Sequence, residues 1–463
     1  MAHIVFVTSG IASIYNAAFE LARLLEQAGH QVTYASPGDI RQAVATQGIR
    51  YVQLNNSQEN AKPIQQIDAN GKVRGWLEKL RTRREQQAFA LKSLRSHDFA
   101  PLIKLLNPDL LIIDIELHEF VIASPLLNVP VALLSTWVSL YKRPGVPPLH
   151  LYIIPGVGWR GSKAGIEWAW LKYRLWKWLQ RHQQRVRAVG ADPSSVLNRY
   201  ADQTGFRFQQ EVDRYQWLLP FSYRSLPVLC LNALEFDFPH QPHPSVRHLG
   251  AMIHLQRKDP VPMSDQAAIH QRLESLFSSH NVEKKPLVYC AFGAFFGGDD
   301  LPFFQRMVKA AEAEPGWEFV IGLGGRWETN KLGALPPNVH AFGWVPQLRV
   351  LQHADCAVIH GGISTINECI HFGVPMLVYP FKKTTDQMGN AARVVYHGLG
   401  IAADRDTDDP QAICDHIRQL LSAPTYKTRV RAMQRQFEEY RRENRAVQAI
   451  EALIAASDTD RNA

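Results

Sequence analysis

Hydrophobic and polar positions along this chain alternate between two periods. Residues 3–8, HIVFVT, are a short β-branched run that stops at Ser9-Gly10, after which Phe19, Leu21, Leu24 and Leu25 recur at helical spacing as far as Gly29-His30. The run QVTYAS at 31–36 completes a strand–helix–strand unit, which predicts a parallel sheet covered by helices. DLLIID at 109–114 and VPVALLS at 129–135 predict further strands. A second series opens with PLVYCAFG at 286–293 and a helical pattern over 303–313. It continues through WEFVIGLG at 317–324, VHAFGWV at 339–345, CAVI at 356–359 and VPMLVYP at 374–380. The pattern predicts an α/β chain of two doubly wound halves. Its expected divisions are 1–236, a Pro- and His-rich linker at 237–253, a second half at 254–426 and a charged helical tail at 427–463. No repeat of about 20–50 residues is evident, so the halves are alike at most in architecture.

Inside the first half, residues 137–200 carry a different pattern. They hold six of the chain's 11 tryptophans, at 137, 159, 168, 170, 176 and 178, and far more Lys and Arg than acids. On a helix, Trp168, Leu171, Leu175, Trp178, Leu179 and Val186 form one stripe, which is expected to face the core. Ile166, Trp170, Tyr173, Lys177 and Arg181 fall on the opposite side, where aromatics among cations match an interfacial contact with a membrane surface.

A length of 463 residues suits two domains, and 46% hydrophobic with 20% charged residues excludes general disorder. The net charge of +8 and isoelectric point near 9.2 suggest an anionic partner, without choosing among phosphorylated ligands, acidic membranes and nucleic acid. No nucleic-acid module is recognisable. Cys230, Cys290, Cys356, Cys369 and Cys414 are widely spaced and lie mostly in apolar runs, as reduced, buried thiols do. No window reaches the roughly 18 apolar residues of a membrane span. A cytoplasmic location, peripheral on a membrane, is the expectation.

The densest candidate chemistry is HGGISTINE at 360–368, where an apolar run gives way to a helical pattern. A glycine-rich strand-to-helix turn leaves backbone N–H groups free for an anion. Gly361 and Gly362 permit close approach, Ser364 and Thr365 can cap the helix or reach a phosphate, and Glu368 lies one turn further on, placed to accept from sugar hydroxyls.

Residues 343–395 closely resemble the donor-binding signature of nucleotide-sugar glycosyltransferases of the GT-B fold, in the branch acting on small lipophilic acceptors. The resemblance rests on Trp344, Pro346, Gln347, Leu351, His353, His360, Gly362, Ser364, Thr365, Glu368, Gly373, Val374, Pro375, Pro380, Asp386 and Gln387. It extends more weakly along the whole chain and implies two Rossmann-like domains facing across a cleft. It further implies that Trp344 stacks on the base, that Gln347 lies near base and ribose, and that Glu368 binds the ribose. His360, the N–H groups after it, Ser364 and Thr365 would hold the pyrophosphate, with Gly293 and Ala294 in the phosphate loop of the first strand. Asp386 and Gln387 would read the hexose. Donors preorganised at a helix N-terminus can stabilise leaving-group charge without a metal, and the resemblance implies inversion by direct displacement and no cofactor.

Two positions depart from the family pattern. Ile14 stands where alcohol-glycosylating members carry a basic histidine, and Ala294 replaces a serine. The gap from Pro380 to Asp386 is also longer, with Lys382 and Lys383 expected at the surface. Asp114, Glu116, His118 and Glu119 cluster after an apolar run. If that strand continues, Asp114, Glu116 and His118 share one face, and a carboxylate shielded from water can serve as base in place of the histidine. The expected activity is transfer of a hexose, glucose from UDP by family habit, to a hydroxyl of a carotenoid, sterol or other terpenoid. The alternatives are a sugar-nucleotide epimerase of the same fold and a non-catalytic binder of nucleotide-sugars.

Overall fold

The structure is a computed structural model that describes residues 1–54, 76–96, 98–257, 263–293, 300–382 and 384–462. Ala294 and Lys383 lie outside the described residues. The first half contributes β1 (His3–Val7), β2 (Gln31–Ser36), β3 (Arg50–Gln53), β4 (Leu110–Asp114), β5 (Val131–Ser135), a two-stranded antiparallel pair β6 (Val212–Asp213) and β7 (Ser222–Tyr223), β8 (Val228–Cys230) and β9 (Val246–His248). Its main sheet is parallel throughout, in the order β3-β2-β1-β4-β5-β8-β9. The second half holds β10 (Leu287–Ala291), β11 (Glu318–Gly322), β12 (Val339–Phe342), β13 (Cys356–Ile359), β14 (Met376–Val378) and β15 (Gly400–Ala402), again parallel, in the order β12-β11-β10-β13-β14-β15.

Both sheets are covered on both faces, which is why their strands read as continuous apolar runs. Alternate residues feed different cores: Val5, Val7, Leu111 and Ile113 pack on one side of the first sheet, and Ile4, Phe6, Leu110 and Ile112 on the other. In the second sheet Tyr289 and Ile359 join one core and Cys290 and Val358 the other. All five cysteines are buried and free. The strand order reverses between β1 and β4 and again between β10 and β13, so each half opens a crevice there, beyond the carboxyl ends of its strands.

Two sequence expectations change. The segment 237–253 is not a plain linker, because Val246–His248 adds the edge strand β9 to the first sheet. Asp237, at its start, is locked to the second half: Arg393 donates from Nε at 2.8 Å and from Nη2 at 2.6 Å to Asp237 Oδ1, with both side chains buried. The tail likewise divides. Helix Pro424–Arg442 packs Val430, Met433 and Phe437 into the second half, while helix Arg445–Asn462 returns Ala446, Val447 and Ile450 to the core of the first.

The tryptophan-rich helix, Lys163–Ala188, is turned over relative to expectation. Ile166, Trp170, Tyr173 and Lys177 are buried, and Trp168, Leu171, Leu175, Trp178, Leu179 and Val186 are exposed. The buried face wins because its polar atoms find partners. Trp170 Nε1 donates to Val146 O, and Tyr173 Oη to Trp217 O, each at 2.7 Å. Lys177 Nζ donates to Gln216 O and Leu218 O at 2.7 Å, and burial together with Arg181 lowers its pKa to about 7. Ser162 caps the helix, its Oγ accepting from Gly165 N at 3.1 Å.

Candidate active site

In the second half, β13 ends at Ile359 and delivers His360 into the crevice beside the loop that follows β10. The two loops touch: a Cβ on Gly293, whose φ is +70°, would stand 3.1 Å from the His360 ring. Burial lowers the His360 pKa to about 4, so the imidazole is neutral at physiological pH. Gly361, at φ +86°, has no room for a side chain, with Val378 and Gln387 O within 3.1 Å of a would-be Cβ. Helix Ile363–Phe372 then starts with Gly362 at its N-cap and no side-chain cap. Ser364 and Thr365 therefore do not cap the helix as expected. They stand in its first turn, where the backbone N–H groups remain available to an anion. Ser364 lines a small cavity with Ser13, Asn16, Arg257 and Glu368, and Thr365 is half-buried outside that wall.

Glu368 is buried, with both oxygens held: Gln347 Nε2 donates to one and Arg257 Nη1 to the other. Tyr289 Oη donates to Gln347 Oε1 at 3.0 Å, which fixes that amide in turn. Trp344 is half-buried, its ring laid against the backbone of Gly325, where a Cβ would come within 2.4 Å of it. Gln347 and Glu368 are thus brought together, while Trp344 meets the loop after β11 and His360 the loop after β10. Neither Arg257 nor Gly325 emerged from the sequence. Gly325 follows β11 in a Gly-Gly pair that could have marked a close approach.

Asp386 and Gln387 open helix Gln387–Tyr396. Asn390, also unforeseen, bridges this turn to the glycine loop, its Nδ2 donating to Asp386 Oδ2 at 2.7 Å and to Gly361 O at 3.0 Å. Burial raises the Asp386 pKa to about 6, against the opposing Asn390 bond. Gln387 Oε1 accepts from the backbone N–H of Phe381 and Lys382, at 2.8 and 3.0 Å, so its carbonyl holds the turn that the longer Pro380–Asp386 gap creates.

In the first half, β4 ends at Asp114 and a turn follows, so Asp114, Glu116 and His118 do not lie along one strand face. His118 opens helix His118–Ala123 and points into the core. Its Nδ1 lies 2.8 Å from Tyr223 Oη, its Nε2 3.3 Å from Leu219 O, and its ring packs on Phe221. Burial lowers its pKa to about 4, and it is removed from the candidate catalytic group. Asp114 is buried and accepts backbone N–H groups from Glu116 at 3.1 Å and Ser9 at 3.4 Å, joining the loops after β4 and β1. Burial raises its pKa, and those bonds oppose the rise. Of the three candidates Asp114, Glu116 and His118, only Glu116 is not buried. Trp137 Nε1 donates to its Oε1 at 2.7 Å, and burial, then Asp114 and Asp386, raise its pKa to about 7. Ile14 is buried in helix Ala12–Gln27.

Glu116 and Trp137 form part of the wall of a cavity of about 800 Å³ between the halves. Trp168, Tyr173, Trp176 and Trp217 supply an aromatic lining, and Thr384 and Thr385 close it from the second half, next to Asp386. The arrangement is a largely apolar chamber with a carboxylate of raised pKa in its wall.

Residues 309–453 match the family described as Erythromycin biosynthesis protein CIII-like, C-terminal domain. Over 158 residues the chain is 34% identical to oleandomycin glycosyltransferase of Streptomyces antibioticus, a match covering 33% of this chain and 35% of that protein. Several such relatives are matched over less than half of their length, 35%, 40% and 44%. A zeaxanthin glucosyltransferase of Pseudescherichia vulneris aligns over 99% of this chain and 100% of its own length at 24% identity. The crystal structure of the glycotransferase of kitacinnamycin shares the fold, with a TM-score of 0.65, 21% identity and 98% of both chains covered. The signature carried by His360, Glu368 and Asp386, the match over 309–453 and the two-sheet architecture together give this chain the GT-B fold and make it similar to glycosyltransferases of the family 1 type.

Proposed function

We propose that the chain transfers a hexose, glucose from UDP in the first instance, to a hydroxyl of a lipophilic acceptor such as a carotenoid, sterol or other terpenoid, with inversion and without a metal. The observation that carries this reading is Glu116. It stands in the wall of the aromatic cavity, held by Trp137, with a pKa of about 7 and within the field of Asp386 on the other half. In this reading the acceptor lies along the cavity aromatics and its hydroxyl donates to the Glu116 carboxylate. The proton passes to Glu116 as the acceptor oxygen attacks the anomeric carbon. The bond from that carbon to the β-phosphate oxygen breaks, and the nucleoside diphosphate leaves with the electron pair. Its growing charge meets His360 and the N–H groups of helix Ile363–Phe372. Trp344 would stack on the base, and Glu368 would take the ribose by exchanging its bond to Arg257 or Gln347. Asp386 and Gln387 would bind the hexose. Asp114 would act by position, through the Glu116 backbone it holds.

The test is nucleotide release from UDP-, dTDP- and GDP-sugars, with and without a lipid extract, for the parent, Glu116→Gln and Asp114→Asn. Acceptor-dependent release that Glu116→Gln slows by about 10²–10⁴-fold is expected, with a smaller loss for Asp114→Asn. Donor binding with no release under any acceptor would instead make the protein a non-catalytic binder, and sugar isomerisation without acceptor would make it an epimerase.

A further inference from the structure

We propose that the exposed face of helix Lys163–Ala188 is a docking surface for an anionic phospholipid bilayer, on which the helix lies in the plane of the interface. Trp168, Leu171, Leu175, Trp178 and Leu179 are each between 44% and 56% exposed. At 3.6 residues per turn they occupy an arc of about 100°, opposite the face that packs on the protein. That face needs no help from the stripe to hold the helix, because Ile166, Trp170 and Tyr173 already anchor it. Contiguous apolar surface of this kind marks an interaction site rather than scattered exposure.

The charges beside the stripe select the partner. Lys172 flanks one edge and Arg185 the other, with Arg187 and Lys163 further round on the respective sides, and all four are exposed. Glu167, the acid on the same helix, is paired with Lys142. A hydrophobic stripe between two cationic edges fits the boundary between anionic headgroups and acyl chains. It does not fit a second copy of the chain, since a symmetric contact would lay cationic edge against cationic edge. The helix has 26 residues, yet among the described residues no helix is long and apolar enough to cross a membrane, which leaves an interfacial position for this one. Trp168 and Trp176 also belong to the cavity wall, so the surface borders the chamber and a lipid-borne molecule could pass from bilayer to cavity without crossing water. That last step rests on the acceptor reading above, whereas the surface itself does not.

Co-sedimentation with phosphatidylcholine vesicles, with and without phosphatidylglycerol, tests the surface directly. The parent chain should sediment with the phosphatidylglycerol vesicles. Leu171→Ser combined with Leu175→Ser and Trp178→Ser, all outside the cavity wall, should weaken that binding about tenfold or more, with an unchanged melting temperature showing that the fold is intact. Arg185→Glu with Arg187→Glu should remove the preference for the anionic lipid. The proposal is overturned if the parent stays in the supernatant, if the triple variant sediments as the parent does, or if the stripe proves to be a dimer contact in sedimentation velocity with no vesicle binding. Transfer to an acceptor in detergent micelles is measured in parallel. Vesicle binding without transfer removes the acceptor reading alone, and transfer without vesicle binding removes the surface alone.

Discussion

Glu116 carries a carboxyl whose ionisation is resisted by burial and by two neighbouring carboxylates, Asp114 and Asp386. In the proposed role of general base it must be deprotonated to accept a proton, so the acceptor-saturated rate should rise with pH through about 7 and level off above it. Glu116→Gln should flatten that limb as well as lower the rate. Stability moves the other way. The folded state holds this proton to higher pH than the unfolded chain, so its contribution is complete below the ordinary glutamate value and is lost as pH rises through about 7. At about pH 8 the Gln variant should therefore melt at a higher temperature than the parent while being less active. A variant that loses activity and stability together would indicate a structural role. The residue types of this site were legible in the sequence; the division of labour among Asp114, Glu116 and His118 was not. It depends on where the strand after Leu110 stops, and one turn of backbone sends His118 into the core.

Helix Lys163–Ala188 has two faces rich in apolar residues, and periodicity alone ranks the leucine-rich one as core. The packing contradicts that ranking, and stability measurements can show it. Trp170→Ala should cost about 3–5 kcal/mol, as deletion of a buried indole does. Leu175→Ala, on the exposed stripe, should change stability by less than about 0.5 kcal/mol. Equal costs at the two positions would mean that the helix buries both faces. The segment after Phe236 shows the same limit. Its prolines and histidines were visible as a break between halves, but the ion pair of Asp237 with Arg393 joins residues 156 apart in sequence and has no local signature. Asp237→Ala leaves a guanidinium buried beside Phe238 without its partner and should cost about 3–5 kcal/mol in chemical denaturation.

For the molecule as a whole, the two halves meet at contacts that leave little space. A Cβ on Gly389 would fall 2.0 Å from Leu149 O, so helix Gln387–Tyr396 approaches the first half with nothing but backbone between them. Asn367 Nδ2 donates to Asn232 Oδ1 at 2.9 Å across the same junction, and helix Arg445–Asn462 ties the end of the chain back to helix Ala12–Gln27. Gly389→Ala should push the halves apart and move Asp386 away from Glu116. The expected result is a transfer rate lower by about tenfold or more, with donor affinity changed much less because Trp344, Gln347 and Glu368 sit wholly in the second half. Loss of donor affinity by the same factor would place the strain inside the donor site instead.

What the sequence determined by itself is local. Short β-branched runs ending in glycine specify buried parallel strands, and leucines at helical spacing specify the helices between them. The ordered signature from Trp344 to Gln387 carries the resemblance to a donor-binding segment, and each of these patterns is legible within a window of sequence. The tertiary structure decided which of two apolar faces a helix buries, which carboxylate keeps access to open space, and which distant partners complete a site, as Arg257 does for Glu368 and Asn390 for Asp386. Those choices follow from the satisfaction of buried polar atoms and from the space left between elements. Both are properties of chain segments brought together from far apart, and no window of sequence contains them.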